Sequence, residues 1–252
     1  MKKGAFGAAE LSLAMEIGER LLVSGAEISR VEDTITRVCR AYGARRVDVF
    51  TITSSIVVTA WGEEETPFTQ TRRVTGMAFN MTVLSELNAL SRKICARLPE
   101  NAEVKAEIER IDALAKYSFR QMIGIFAMTA LAFTIFFGGT WRDALAAGLI
   151  GALMKVAQAV FVKLRLSSLM SALLCSIGGG LIGGWAVSAG LADNMGIIAI
   201  GDIMLLIPGM AFTNSIRDMF SGDTISGLLR FTEALVLSVV IALGFALPAA
   251  LF

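Results

Sequence analysis

Two ionisable side chains stand inside stretches apolar enough to lie in lipid. Lys155 falls near the middle of residues 144–163, and Asp202 lies within MGIIAIGDIMLLIPGM. A charge at the centre of a bilayer costs roughly 2.5–3.5 kcal/mol on insertion scales, so such residues usually face protein or a water-filled path. Gln158 follows Lys155 by about one helical turn and shares its face. At similar depth, Lys155 and Asp202 could form a structural ion pair, or each could meet a charged solute. The spacing is compatible with both. Lys155 could also snorkel toward the membrane edge, eight residues from Lys163.

Pro208-Gly209 follows Asp202 in the same apolar run. Proline removes the amide that would bond the carbonyl of Met204, and the glycine adds flexibility. Broken helices of this kind present free backbone groups to solutes in transporters, although a plain packing kink has the same signature. Asn214, Arg217 and Asp218 follow closely and weigh toward a polar path. Gly178, Gly180 and Gly183 fit the dinucleotide pattern GxGxxG, but they sit inside an apolar helix rather than between a strand and a soluble helix. Gly179–Gly183 and Gly180–Gly184 read instead as small-residue pairs for close helix contact, as do Gly148, Gly151 and Ala152.

Other chemistry has little support. The chain has no histidine, which excludes Ser-His-Asp and Cys-His catalysis and histidine metal sites. Cys39, Cys95 and Cys175 are isolated, with no metal-ligand or disulfide spacing. Ser54 and Ser55 have no visible base. Ser24, Glu27, Arg30, Glu32 and Asp33 read as capping groups and surface ion pairs; an enzyme built on them would need a carboxylate-only mechanism. A net charge of +1 gives no reason to expect nucleic acid.

The elements that must position these groups fall into two classes. Of 23 Lys and Arg, 16 lie in residues 1–118, and 16 of 22 Asp and Glu lie there too. The whole chain is 55% hydrophobic, with a mean hydropathy of +0.66. The opening apolar stretch is cut by Glu10, which argues against a signal peptide and for a retained, cytoplasmic N-terminus. Helical periodicity predicts helices over 9–23 and from Ile28 to Tyr42, with Gly43 as a stop. Even spacing of Phe50, Ile52, Ile56 and Val58 predicts one or two strands over 47–61, a turn at Gly62 and the three glutamates after it, and a return strand at 66–74. Asn80 caps a helix ended by Pro99, and 102–117 form a charged amphipathic helix. The first 118 residues are therefore expected to be a small cytoplasmic α+β domain. Residues 119–252 are expected to be an all-α bundle of five transmembrane helices, at about 120–138, 144–163, 168–190, 195–213 and 229–251. Lys116 and Arg120, Lys163 and Arg165, and Arg217 and Arg230 cluster on one side. Only Arg142 falls on the other, which predicts the N-terminus inside and the C-terminus outside.

Two stretches, LLVSGAEISRVEDTITRVCRAYG and LLIPGMAFTNSIRDMFSGDTISGLLRFTEAL, resemble the threonine/serine exporter family. The resemblance implies a cytoplasmic domain followed by a membrane bundle. Full-length members carry about ten spans, so this chain resembles the half-size subunit of the split, two-component form, which is associated with dicarboxylates such as succinate. The fused form is associated with threonine and serine. Pro208, Gly209, Asn214, Arg217, Asp218 and Gly222 match the family motif. The expected function is export of a small carboxylate metabolite across a bacterial or archaeal inner membrane. No cofactor is expected, and the proton gradient is the expected energy source. Lys155 would meet a carboxylate, and Asp202 a proton or an ammonium group. The expected partners are lipid and a second five-span subunit, or a second copy of the chain. A membrane-anchored enzyme and a regulatory scaffold acting through the N-terminal domain are the alternatives.

Overall fold

The structure, a computed structural model, describes residues 6–63, 66–114 and 117–251. Glu64 and Glu65 of the expected turn, the first five residues, and Lys116 among the expected flanking charges lie outside the described residues. The chain divides into two units. The first comprises Met1–Ala115 and Gly209–Thr232; the second comprises Lys116–Pro208 and Glu233–Phe252.

In the first unit, α1 (Ala8–Val23) and α2 (Ile28–Ala41) follow the expected periodicity. Leu11, Met15, Leu21 and Leu22 of α1 are fully buried, as are Ile28, Val31, Ile35 and Val38 of α2. Gly18 lets the two helices approach closely, since a Cβ there would lie 2.5 Å from the Ile35 Cδ1. Gly25 ends the first helix at φ +92°, and a side chain there would overlap the Phe79 ring. Glycine is therefore required on two counts. Strands β1 (Arg46–Ile52), β2 (Ser55–Trp61) and β3 (Pro67–Arg73) form an antiparallel sheet in that order. Helix α3 (Met81–Arg97) is capped by the Asn80 side chain, which accepts from the Val83 amide. It ends at Leu98 in the left-handed region, just before Pro99. Helix α4 (Asn101–Asp112) closes the contiguous part of this unit.

The strand reading needs one correction. Val49 pairs with Val58 and Thr51 with Ile56. Paired residues share a face, so the inward positions switch from odd in β1 to even in β2 across the two-residue turn. Ile56 and Val58 are buried, while Phe50, expected on the same face, is 58% exposed.

In the second unit, α5 (Phe119–Phe136), α6 (Trp141–Lys163), α7 (Ser168–Ser188) and α10 (Thr224–Ala249, shared with the first unit) are each long and apolar enough to cross a membrane. Their outward residues are apolar: Met128, Leu149 and Val239 are 66%, 62% and 50% exposed. A surface of this kind suits hydrocarbon as its solvent. The glycines lie where expected. A Cβ on Gly151 would lie 2.9 Å from the Phe126 carbonyl, and one on Gly180 would lie 2.9 Å from Pro248.

The five-span expectation is overturned: among the described residues four helices qualify. The segment 195–213 is not one helix. It holds α8 (Met195–Ile203), a break at 204–208, and the start of α9 (Gly209–Phe220). Pro208 has no amide to continue the ladder and steers Ile207 away from helical geometry. At nine residues, α8 is about 13 Å long, less than half of a ~30 Å core. Hydropathy summed two short helices as one. The same proline also marks the boundary between the units, so that 209–232 belong with the N-terminal residues.

Candidate functional site

Helix α8 starts from a braced turn. Asn194 caps it by accepting from the Ile197 amide. The buried Asp143 carboxylate accepts from the amides of Asp193 and Asn194 at 2.7 and 2.8 Å, and from Thr140. The helix then packs among α5, α6 and α7. Gly201 permits this: a Cβ would overlap the Thr134 hydroxyl and lie 3.0 Å from the Ala130 carbonyl. The next residue is Asp202, wholly buried, and neither carboxylate oxygen has a hydrogen-bond partner among the described residues. Ile198, one turn earlier on the same face, packs against Gly183 of α7.

Lys155 is half-buried on α6, with its ammonium 4.7 Å from the centre of the Phe126 ring. It does not pair with Asp202. Helix α5 serves as a ruler: Lys155 is level with Phe126, whereas Gly201 lies against Ala130 and Thr134. At 1.5 Å per residue, Asp202 is about 6–12 Å further along the bundle. The expected common depth is therefore corrected: the two side chains lie at different levels of the bundle. Gln158 is half-buried beyond Lys155 on the same helix. Pro208 is the last residue of the break between α8 and α9, and Gly209 opens α9.

Asn214, Arg217 and Asp218 belong to the first unit. They meet the connection between α1 and α2. The Asn214 amide donates to the Gly25 carbonyl at 2.8 Å. The Ile28 amide donates to Asp218 at 3.1 Å. Arg217 pairs with Glu27. Asp218 also forms an ion pair at 3.0 Å with Arg230, and both side chains are essentially inaccessible. The Ser226 hydroxyl donates to the Thr51 carbonyl, and the Thr51 amide donates to Glu32. The two stretches that carry the family resemblance thus fold onto one another.

Sequence reasoning passed over Arg230, Glu32 and Asp223 as site residues. Its place just before an apolar run marks Arg230 only as a flanking charge, yet it is 1% exposed. Burial pushes the Glu32 carboxyl above its ordinary value, with the nearby Asp223 adding to the effect and the Thr51 amide opposing it. Burial raises Asp223 as well. Neither element alone shows this, because the partners are nearly two hundred residues apart. The Cys39 thiol is buried and pushed up to about 12, so it is not a nucleophile near neutral pH. A groove of about 410 Å³ between α6 and α7, lined by residues such as Trp141, Leu149 and Trp185, is apolar, and none of the expected site residues lines it.

Comparison with known proteins gives a consistent picture. A family model for threonine/serine exporters matches residues 12–252. The chain is 27% identical over 236 residues to the threonine/serine exporter of Corynebacterium glutamicum, a match covering 90% of this chain and 48% of that protein. It is 23% identical over 235 residues to the "Probable succinate transporter subunit YjjP" of Escherichia coli (strain K12), covering 92% of this chain and 90% of that protein. The chain therefore spans about half of the first relative and nearly all of the second. No solved structure matches it.

Proposed function

We propose, since the chain belongs to the threonine/serine exporter family, that it is one membrane subunit of a secondary exporter for a small carboxylate-bearing metabolite. The observation that carries this reading is the Asp202 carboxyl, buried without a hydrogen-bond partner among the described residues, in a half-length helix that ends at Ile203, just before the break at 204–208. An uncompensated carboxylate there is costly by several kcal/mol. The group is then poised to take up a proton or an ammonium group during transport. Lys155, unpaired with Asp202 and resting on Phe126, supplies the positive charge for a carboxylate, with Gln158 beside it. The break at 204–208, closed by Pro208 and followed by Gly209, supplies the backbone that yields as solute passes.

The charges fit a zwitterion, with an ammonium for Asp202 and a carboxylate for Lys155. An amino acid such as threonine or serine is therefore the first substrate in this reading. A C4-dicarboxylate such as succinate is the second, supported by the similarity to the protein named as a succinate transporter subunit, 90% of which the match covers. That name also supports a second membrane subunit of the same family as partner. The basic side, carrying Lys163 and Arg165, would face the cytoplasm of a cell whose inner membrane holds the bundle. The C-terminus-outside expectation rested on an odd number of spans and loses that basis. The proton gradient is the proposed energy source. The test is efflux of labelled threonine, serine and succinate from loaded cells, for wild type and for Lys155→Ala and Asp202→Asn. Loss of efflux of one substrate class in both variants supports the reading; unchanged efflux in both removes the proposed stations.

A further inference from the structure

Helix α2 begins with a poor cap of its own. Glu27 occupies the N-cap position and makes no side-chain capping bond. The first helical amide, that of Ile28, is instead met by Asp218 of α9, 190 residues away. A carboxylate is the favoured charge at a helix N-terminus, so α9 caps α2 from a distance. Glu27 is left to bind Arg217, and the Gly25 carbonyl just before it takes the Asn214 amide. The capping carboxylate is itself held by Arg230, buried near the start of α10. Helix α9 hairpins tightly onto α10, where a Cβ at Gly227 would lie 2.8 Å from the Ser215 carbonyl and Phe212 packs edge-on against Phe231 at 5.6 Å.

Buried ion pairs add little net stability compared with apolar packing, and their best-attested use is to specify a register or a switch. This pair sits at an informative place in the chain. Five residues, 204–208, separate α9 from the helix that carries Asp202. We propose that Asp218 and Arg230 are positioning residues for transport: together they clamp α9 onto the N-terminus of α2 and so hold the downstream end of the Pro208 break, without touching the solute. Asn214 and Arg217 are the outer arms of the same clamp. This rests on the transporter reading above.

The test uses the full chain, reconstituted with its partner if one is required. The double variant Asp218→Leu with Arg230→Met replaces the pair by apolar groups and avoids leaving one buried charge behind. Arg217→Ala weakens only an exposed arm and guards against a folding failure. The expected result is a turnover at least tenfold lower in the double variant and severalfold lower in Arg217→Ala, both at unchanged half-saturating substrate, with the Ile28 amide exchanging faster in the double variant. A merely structural pair predicts that the folded double variant transports at the wild-type rate, which overturns the proposal. Direct substrate contact predicts a raised half-saturating concentration at unchanged turnover, which overturns it too. A wild-type chain that moves no solute counts against the transporter reading instead. Exchange at Ile28, which needs no transport, then decides the clamp: unchanged exchange in the double variant overturns it.

Discussion

Replacing Asp202 by leucine should make the protein more stable and abolish its transport. Leucine branches at the same carbon as aspartate and puts methyl groups where the two oxygens lie. Those oxygens are buried and unpartnered. A buried polar group left unsatisfied costs about 1–3 kcal/mol. Against this stands the greater bulk of leucine, in a bundle so close-packed that a Cβ on the neighbouring Gly201 would lie 3.0 Å from the Ala130 carbonyl. Overpacking of that kind costs about 1 kcal/mol at the low end. The net expectation is a gain of about 0–2 kcal/mol, built from these two opposing costs. It would be read as a rise in the midpoint of thermal unfolding in detergent, with efflux at background in the same preparation. Function at the expense of stability is what a site held out of its optimum predicts. A variant that is destabilised by a similar amount, or one that transports normally, refutes the reasoning.

Three further outcomes follow from the geometry. Lys155→Ala loses a contact worth about 0.5–2 kcal/mol with Phe126; transport assays should show a higher half-saturating concentration, with unfolding shifted only slightly. Gly201→Ala forces a methyl into the Thr134 hydroxyl and the Ala130 carbonyl, destabilising the bundle by about 1–3 kcal/mol in the same thermal assay, whereas Gly124→Ala, which meets open space, should be neutral. Glu32 binds its proton more tightly folded than unfolded, because burial raises it above 4.5. Its contribution to stability is therefore present at low pH and is lost as pH rises from the ordinary carboxylate value through the raised one. Melts across that window should show this slope in wild type and a shallower one in Glu32→Gln, with Asp223 retaining its share.

Most of the local structure could be read from the sequence, because its causes are local. Helical spacing in α1 and α2, the Asn80 cap and the Pro99 stop each act within a few residues. The apolar runs of α5, α6, α7 and α10 were equally visible. Strand parity was not, because an antiparallel turn of two residues changes which positions face inward, and Phe50 was misplaced as a result. The break at Pro208 was seen, but its consequence was missed. An apolar window cannot tell a crossing helix from a short helix followed by one that joins another unit. Asn214, Arg217 and Asp218 stood out by type, yet their partners at Gly25, Glu27 and Ile28 lie about 190 positions away. The depth difference between Lys155 and Asp202 needed the packing of α5 against both α6 and α8.

The central claim is that the Asp202 carboxyl couples solute movement to protons. Its most direct measurement is proton flux during solute efflux from vesicles holding the reconstituted protein, with wild type and Asp202→Asn compared at equal protein content. Proton movement in step with efflux is expected for wild type, and neither for the variant. Efflux with undiminished proton flux in Asp202→Asn would contradict it.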